Sequence, residues 1–189
     1  MVAFSPSGRQ ILLGDYNGQV LVLPATGRKV RVLGPPGPRI SDVEFNKSGS
    51  EFVTASASGV VTVWAARDGR PLLSIDACPS PNTASFSPDG SKIVVACGDG
   101  SAPVFAVVTG RQLTVLSAAS AGTVSSAAFS PDGKTIVTAV DVGDAGGVQI
   151  WNSELAIPSL PALERLAEQR VTRKLTAAER KEYLTGISG

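Results

Sequence analysis

One phrase, written four times, constrains this chain more than any other feature of its 189 residues. FSPSG begins at Phe4, FNKSG at Phe45, FSPDG at Phe86 and FSPDG at Phe129, with starts 41, 41 and 43 residues apart. A period of this length marks a supersecondary unit that cannot shield its own apolar surface and must stack on copies of itself. The repetition extends beyond the phrase. Each copy runs into an apolar stretch, a turn and a second stretch, VLVL ending at Leu23, VTVW at Trp64, APVF at Phe105 and VQIW at Trp151. The distance from the opening Phe to that last residue is 19, 19, 19 and 22 positions, and the excess in the fourth copy falls in DVGDAGG, Asp141 to Gly147, expected to enlarge one turn. A third phrase follows three of the copies: TGRKVRVL from Thr26, DGRPLLSI from Asp68 and TGRQLTVL from Thr109.

The local chemistry dictates the elements. In Ser-Pro-Asp-Gly the proline presets φ for the first turn position, the carboxylate bonds its own backbone, and glycine accepts the positive φ that closes the reversal. The stretches between turns are too short for stable helices and rich in β-branched residues, so they read as strands. Composition agrees: 43% of residues are hydrophobic but only 5% aromatic, which leaves mostly the small and branched side chains of packed sheets. A unit holds four antiparallel strands. The first runs into the Phe, the second follows the Ser-Pro-Asp-Gly turn, the third ends at the Trp position, and the fourth follows Thr-Gly-Arg. The repeating Phe4, Phe45, Phe86 and Phe129, with Trp64, Phe105 and Trp151, are assigned to the core.

With these phrases at constant offsets, the chain between about Val2 and Asn152 resembles the WD-repeat family of β-propellers. The resemblance implies an all-β fold, a partial propeller of four four-stranded blades with about fifteen strands. The repeats are placed at about 1–33, 34–75, 76–116 and 117–153. It also implies departures. The Gly-His pair frequent in the family is missing, for the chain has no His. The Asp usual between the second and third strands falls at Asn17, Ser58, Asp99 and Ala145, so only Asp99 keeps it, and the Asp that usually follows Trp is replaced by Ala65 and Asn152. The family's buried hydrogen-bonded tetrad is therefore not expected, and the blades should rest on apolar packing. Pro103 inside a third strand marks the third repeat as locally irregular. Since rings of this family usually have seven or eight blades, four suggest the C-terminal half of a larger array or a half-ring closed by another copy. The two end faces would then be exposed apolar patches.

From residue 154 to 189 the pattern changes to a helical tail, with Leu163, Leu166, Ala167 and Val171 on one stripe and a capping box from Thr176 to Glu179. RVTRKLTAAERKEYL resembles the extension that follows WD arrays in large bacterial signalling proteins. This tail is expected to cover the fourth blade.

Seventeen Lys and Arg against 16 Asp and Glu give a net charge of +1, which offers no field for a phosphate backbone, so nucleic acid is not an expected partner. Neither a leader nor a membrane-spanning run stands out, and Cys78 and Cys97 read as buried thiols of a reducing compartment, so a cytoplasmic location is expected. Without His, the Ser-His-Asp and Cys-His arrangements and His-based zinc sites are excluded; a propeller hydrolase with a central metal is the enzymatic alternative. No cofactor is expected. Asp141 and Asp144 could offer oxygens to a hard cation, but without the spacing of a calcium loop. Gly34 to Arg39 lacks the Lys and following helix of a phosphate cradle. Arg28, Lys29, Arg31, Arg70 and Arg111 fall on or beside outermost strands, where charge discourages strand addition. The function expected is a non-catalytic scaffold or sensor that binds protein or peptide, and the resemblance implies that it does so through the rim made by the loops before the first strand and between the second and third. Loops on a rigid scaffold are where function concentrates. Its contact candidates are Tyr16, Arg39, Asp42, Asp141 and Asp144. Self-association and contact with upstream blades are the other expected interactions.

Overall fold

A computed structural model describes residues 1–27, 29–117, 122–143 and 145–153. They belong to the first of two units into which the chain divides, Met1–Ile157 and Pro158–Gly189. Fifteen strands form four antiparallel sheets. Sheet one holds β1 (Val2–Phe4), β2 (Gln10–Gly14), β3 (Val20–Pro24) and β4 (Arg31–Leu33); sheet two holds β5 (Ile40–Phe45), β6 (Glu51–Ser56), β7 (Val60–Ala65) and β8 (Pro71–Asp76). Sheet three holds β9 (Pro81–Phe86), β10 (Lys92–Cys97), β11 (Ser101–Ala106) and β12 (Gln112–Ser117). Sheet four holds β13 (Thr123–Phe129), β14 (Thr135–Val142) and β15 (Ala145–Asn152). In each sheet the strands pair in chain order, and the first strands of consecutive sheets lie against one another, β1 on β5, β5 on β9 and β9 on β13. The architecture is that of a partial propeller that does not close. The expected helical tail lies outside the described residues.

The turn after each first strand is built identically four times. The side chains of Ser5, Asn46, Ser87 and Ser130 accept the backbone N–H five residues on, at Gln10, Glu51, Lys92 and Thr135. In the two Ser-Pro-Asp-Gly copies the carboxylates of Asp89 and Asp132 accept both that serine's hydroxyl and the N–H two residues ahead. Gly90 completes the reversal at φ 72°, a conformation a Cβ would strain.

The core lies between sheets, not within them. One cluster joins Leu12, Val20 and Val22 of sheet one to Val43, Phe45 and Phe52 of sheet two. A second joins Val53, Val61 and Val63 to Ala84, Phe86 and Ile93. The third joins Val94, Ala102 and Val104 to Val124, Ala127 and Ile136. Three clusters for four sheets mean that every cluster is a junction. Phe4 is a correction to the sequence reading: it occupies the same register as Phe45 and Phe86 but is exposed, because no described sheet lies on that side of it.

Beside the apolar packing, sheets two and four each hold one side-chain hydrogen bond between their second and third strands. The indole N–H groups of Trp64 and Trp151 donate to Thr54 Oγ1 and Thr138 Oγ1, each at 3.0 Å. In sheets one and three the corresponding pairs are Leu23 with Leu13 and Phe105 with Val95, so an apolar pair replaces a hydrogen-bonded one without leaving either partner orphaned. Pro103 has the expected effect: the β10–β11 ladder stops at Val94 with Val104, short of the proline, which lacks a donor. The enlarged turn expected between Asp141 and Gly147 is not found. The extra residues instead lengthen the hairpin, pairing as far as Val142 with Ala145, since the alternating Val140, Asp141, Val142 can continue a strand and Gly146 and Gly147 obstruct nothing opposite.

The cysteines also depart from expectation. Cys78 and Cys97 form a disulfide across 19 residues, and neither is a free thiol. Sequence separation concealed the pairing. Cys97 ends β10 and Cys78 lies in the connection from β8 to β9, which folds back over the end of β10, where Gly98 N–H donates to Ser80 O.

Phe52, fully buried, stacks on Trp64 at 6.0 Å and meets Phe45 edge-on at 5.8 Å. Phe52→Ala is expected to lower unfolding free energy in urea by about 3–5 kcal/mol, and a loss below about 1 kcal/mol would contradict the junction packing. Closing a loop of this length restricts the unfolded chain by roughly 3 kcal/mol. Removal of both cysteines as Cys78→Ala with Cys97→Ala should therefore lower the urea midpoint, and reduction should produce a comparable loss in the parent and none in the variant.

Candidate functional site

The described parts of the loops expected to carry function are joined by hydrogen bonds along one rim. Asp15 begins the β2–β3 turn, where its carboxylate accepts Asn17 N–H at 2.9 Å and Gln19 N–H at 2.8 Å. That turn is tied to the connection before β5: Gly37 N–H donates to Asn17 O and Ile40 N–H to Asp15 O. The tie demands glycine at position 18, where a Cβ would lie 2.6 Å from Pro38 O. Onward, Ala57 N–H donates to Arg39 O and Ala77 N–H to Gly59 O. Gly98 N–H reaches Ser80 O, and Thr123 Oγ1 donates to Gly98 O. The two inter-sheet connections before β5 and before β9 are thus bonded to the hairpin turns beside them, and the disulfide reinforces the segment between sheets two and three.

The structure brings some of the sequence candidates together and separates others. Tyr16 sits at the tip of the first hairpin turn, 85% exposed, and Arg39 is exposed on the connection bonded to that turn. They share one end of the rim. Asp141 is exposed near the end of β14, opposite Thr123, at the fourth sheet's part of the rim. Asp144 lies outside the described residues. Among the described residues no group of three or more His, Cys, Asp and Glu side chains is placed to hold a metal ion.

Asp42 has a different position from the one expected. It lies inside β5, half-buried, and its Oδ2 accepts Ala84 N–H at 3.1 Å. Glu44, two residues on, accepts Phe86 N–H at 3.0 Å and Ser85 Oγ–H at 3.2 Å through Oε1. These N–H groups belong to β9, the free edge of sheet three, and would otherwise be unpaired donors between two sheets. At the next junction Thr83 Oγ1 takes the same part, accepting Ala127 N–H at 3.3 Å. Sequence reading missed this function because the acceptor and its donor are about one repeat apart, and the acceptor changes chemical type from copy to copy. Arg31 is also drawn between sheets. Its guanidinium donates to Arg67 O at 3.1 Å and Ala66 O at 3.2 Å, a contact beyond the edge protection expected of it. Arg28 lies outside the described residues.

Burial raises the carboxyl pKa of Asp42 and of Glu44, against the lowering effect of the N–H groups they accept. Both groups therefore ionise more readily in the unfolded chain. Their contribution to stability is present at acid pH, below the unfolded values, and is lost as pH rises through the folded ones. Asp89 has the opposite sign: hydrogen bonds from Ser87, then from Ser91, lower it to about 2, so its contribution is present above the ordinary carboxylate range and is lost as pH falls toward 2. Asp42→Asn, which keeps a carbonyl acceptor and removes the buried charge, is expected to be as stable as the parent or more so at pH 7. Asp42→Ala, which orphans Ala84 N–H, should cost about 1–3 kcal/mol. Urea unfolding at pH 7 and pH 3 measures both; equal losses for Asn and Ala would show that the charge, not the acceptor, is what the junction needs.

The family model described as "WD domain, G-beta repeat" matches residues 27–65 and 110–152. Each match takes in an outer strand and the three inner strands of the following sheet, so the sequence unit straddles two sheets. No curated protein sequence matches the chain. Among solved structures, 1437 chains match. One, from Kuenenia stuttgartiensis hydrazine synthase, superposes with a TM-score of 0.74 over 82% of this chain at 20% identity. This chain spans 46% of that one, and at such identity the likeness shows the fold alone. Two matches to the WD-repeat model, sheets that pair their strands in chain order and four turns of one design show that the chain carries WD repeats on a partial β-propeller fold.

Proposed function

We propose that the chain is a non-catalytic scaffold that binds a protein or an extended peptide along the loop rim, with Tyr16 and Arg39 as anchors and Asp141 as a further contact. The observation that supports this most is the pairing of a rigid backbone with unengaged side chains. The turn carrying Tyr16 is fixed to the Arg39 connection by two backbone hydrogen bonds, while Tyr16 itself is left in solvent. An aromatic ring and a guanidinium held on such a frame lose little conformational entropy on contact, which is why these residue types dominate binding hot spots. Asp42 is less suited to the part, since its carboxylate is committed to Ala84.

The reading places no chemistry on the chain, in keeping with WD repeats as interaction modules. It assigns no nucleic acid or membrane partner. The cytoplasmic location expected from two free thiols loses that support, because the cysteines are paired; a disulfide favours an oxidising compartment.

Peptides selected from a random display library against the immobilised chain would test the rim. Tyr16→Ala and Arg39→Ala are each expected to weaken the selected peptides at least about tenfold, a hot-spot effect, with the urea midpoint unchanged. Selected peptides that bind both variants like the parent would remove these two residues from the site.

A further inference from the structure

Every junction between the described sheets has a receiving face and an inserting face, and one of each has no described sheet against it. The receiving face is made by the second and third strands. Val22, Val63 and Val104 occupy one register position there and are 3%, 0% and 0% exposed, each covered by the following sheet. Ile150 holds that position in sheet four and is 72% exposed, with Val148 beside it at 68%. The inserting face is the opposite side of the first strand. Phe45 and Phe86 are 7% and 6% exposed, whereas Phe4, at their position in sheet one, is 64% exposed.

We propose that these two faces bind each other between two copies of this chain. The sheet-one face of each copy seats on the sheet-four face of the other, and the two half-arrays close a ring of eight sheets, a size propellers adopt. The choice of a second copy rests on complementarity. Phe4 is the side chain that the face bearing Ile150 would receive if the spacing within the array continued, as Phe45 is received by the face bearing Val22. One molecule thus carries both halves of an interface that it already makes three times internally. Such a head-to-tail contact either propagates or closes, and two half-rings close.

A polar contact supports the same seating. At two of the three internal junctions the residue three before the Phe accepts an N–H from the next first strand: Asp42 from Ala84, and Thr83 from Ala127. Ser126 stands at that position in β13 and is exposed. Its hydroxyl is the acceptor that Val2 N–H of the second copy would meet. The inference is independent of the rim, which lies on the loops and not on the sheet faces.

The test uses the full 189-residue chain at micromolar concentration, with mass read by light scattering. The parent is expected at twice the 19.3 kDa chain mass. Phe4→Glu and Ile150→Glu change exposed side chains, so both should fold, with circular dichroism as the check. Each alone should raise the dimer dissociation constant at least about 30-fold, the loss expected at an interface hot spot. Mixed in equal amounts, the two variants retain one intact junction between them and should recover a two-chain species. A monomeric parent, as would follow if the tail or another segment covered these faces, overturns the proposal. A variant that still dimerises alone shows a different contact and also overturns it. A mixture that stays monomeric, or a parent mass above two chains, rules out the closed head-to-tail ring.

Discussion

The structure depends on the stacking of thin sheets that are apolar on both faces. No single sheet here has a core: each of the three buried clusters draws its side chains from two consecutive sheets. The hydrophobic effect is proportional to apolar area removed from water and carries no direction, so direction must come from geometry. It comes from the first strands, laid one against the next, and from turns built so alike that successive sheets present matching surfaces. A sheet so constructed is stable to the extent that a neighbour covers it, which makes the end faces differ from the middle in energy although not in sequence pattern.

Within that constraint the repeats have diverged wherever two residues can change together. A Trp donating to a Thr in sheets two and four is matched by Leu with Leu in sheet one and Phe with Val in sheet three. Either solution satisfies the interior, because a hydrogen-bonded pair and an apolar pair each leave no buried group unmet. The free edges of β9 and β13 follow the same logic. Asp42 and Glu44 cap the donors of β9, and a single threonine hydroxyl does so for β13. Charge is tolerated between sheets two and three only because the N–H groups offset part of its desolvation.

The binding surface proposed for this scaffold lies where packing does not consume the side chains. The rim loops bond to one another through their backbones, which leaves Tyr16 and Arg39 available while the frame beneath them stays fixed. The fold itself says little about the partner, since so many solved chains share it and propellers serve unrelated activities. The disulfide lies on this rim and ties a connecting loop to the strand end of the next sheet, so stability and rim geometry meet at one covalent link.

Periodicity and turn chemistry by themselves determined the all-β class, the four units and the fifteen strands, because a hairpin is decided by the few residues that make its turn and by alternation along its strands. The resemblance to WD repeats, not the pattern itself, pointed to the loop face that carries Tyr16 and Arg39. Tertiary structure alone decided three matters. Phe4 and Phe45 sit in nearly the same local sequence, yet one is open and the other enclosed, since burial depends on a sheet about forty residues away in the chain. Asp42, expected as a rim contact, and Glu44 take up their part as acceptors only once β9 is laid beside them. Cys78 and Cys97 meet only because the connection after β8 crosses the end of β10. Local pattern governs which hydrogen bonds a segment can make with itself; which atoms meet across segments is fixed only when the chain has brought them together.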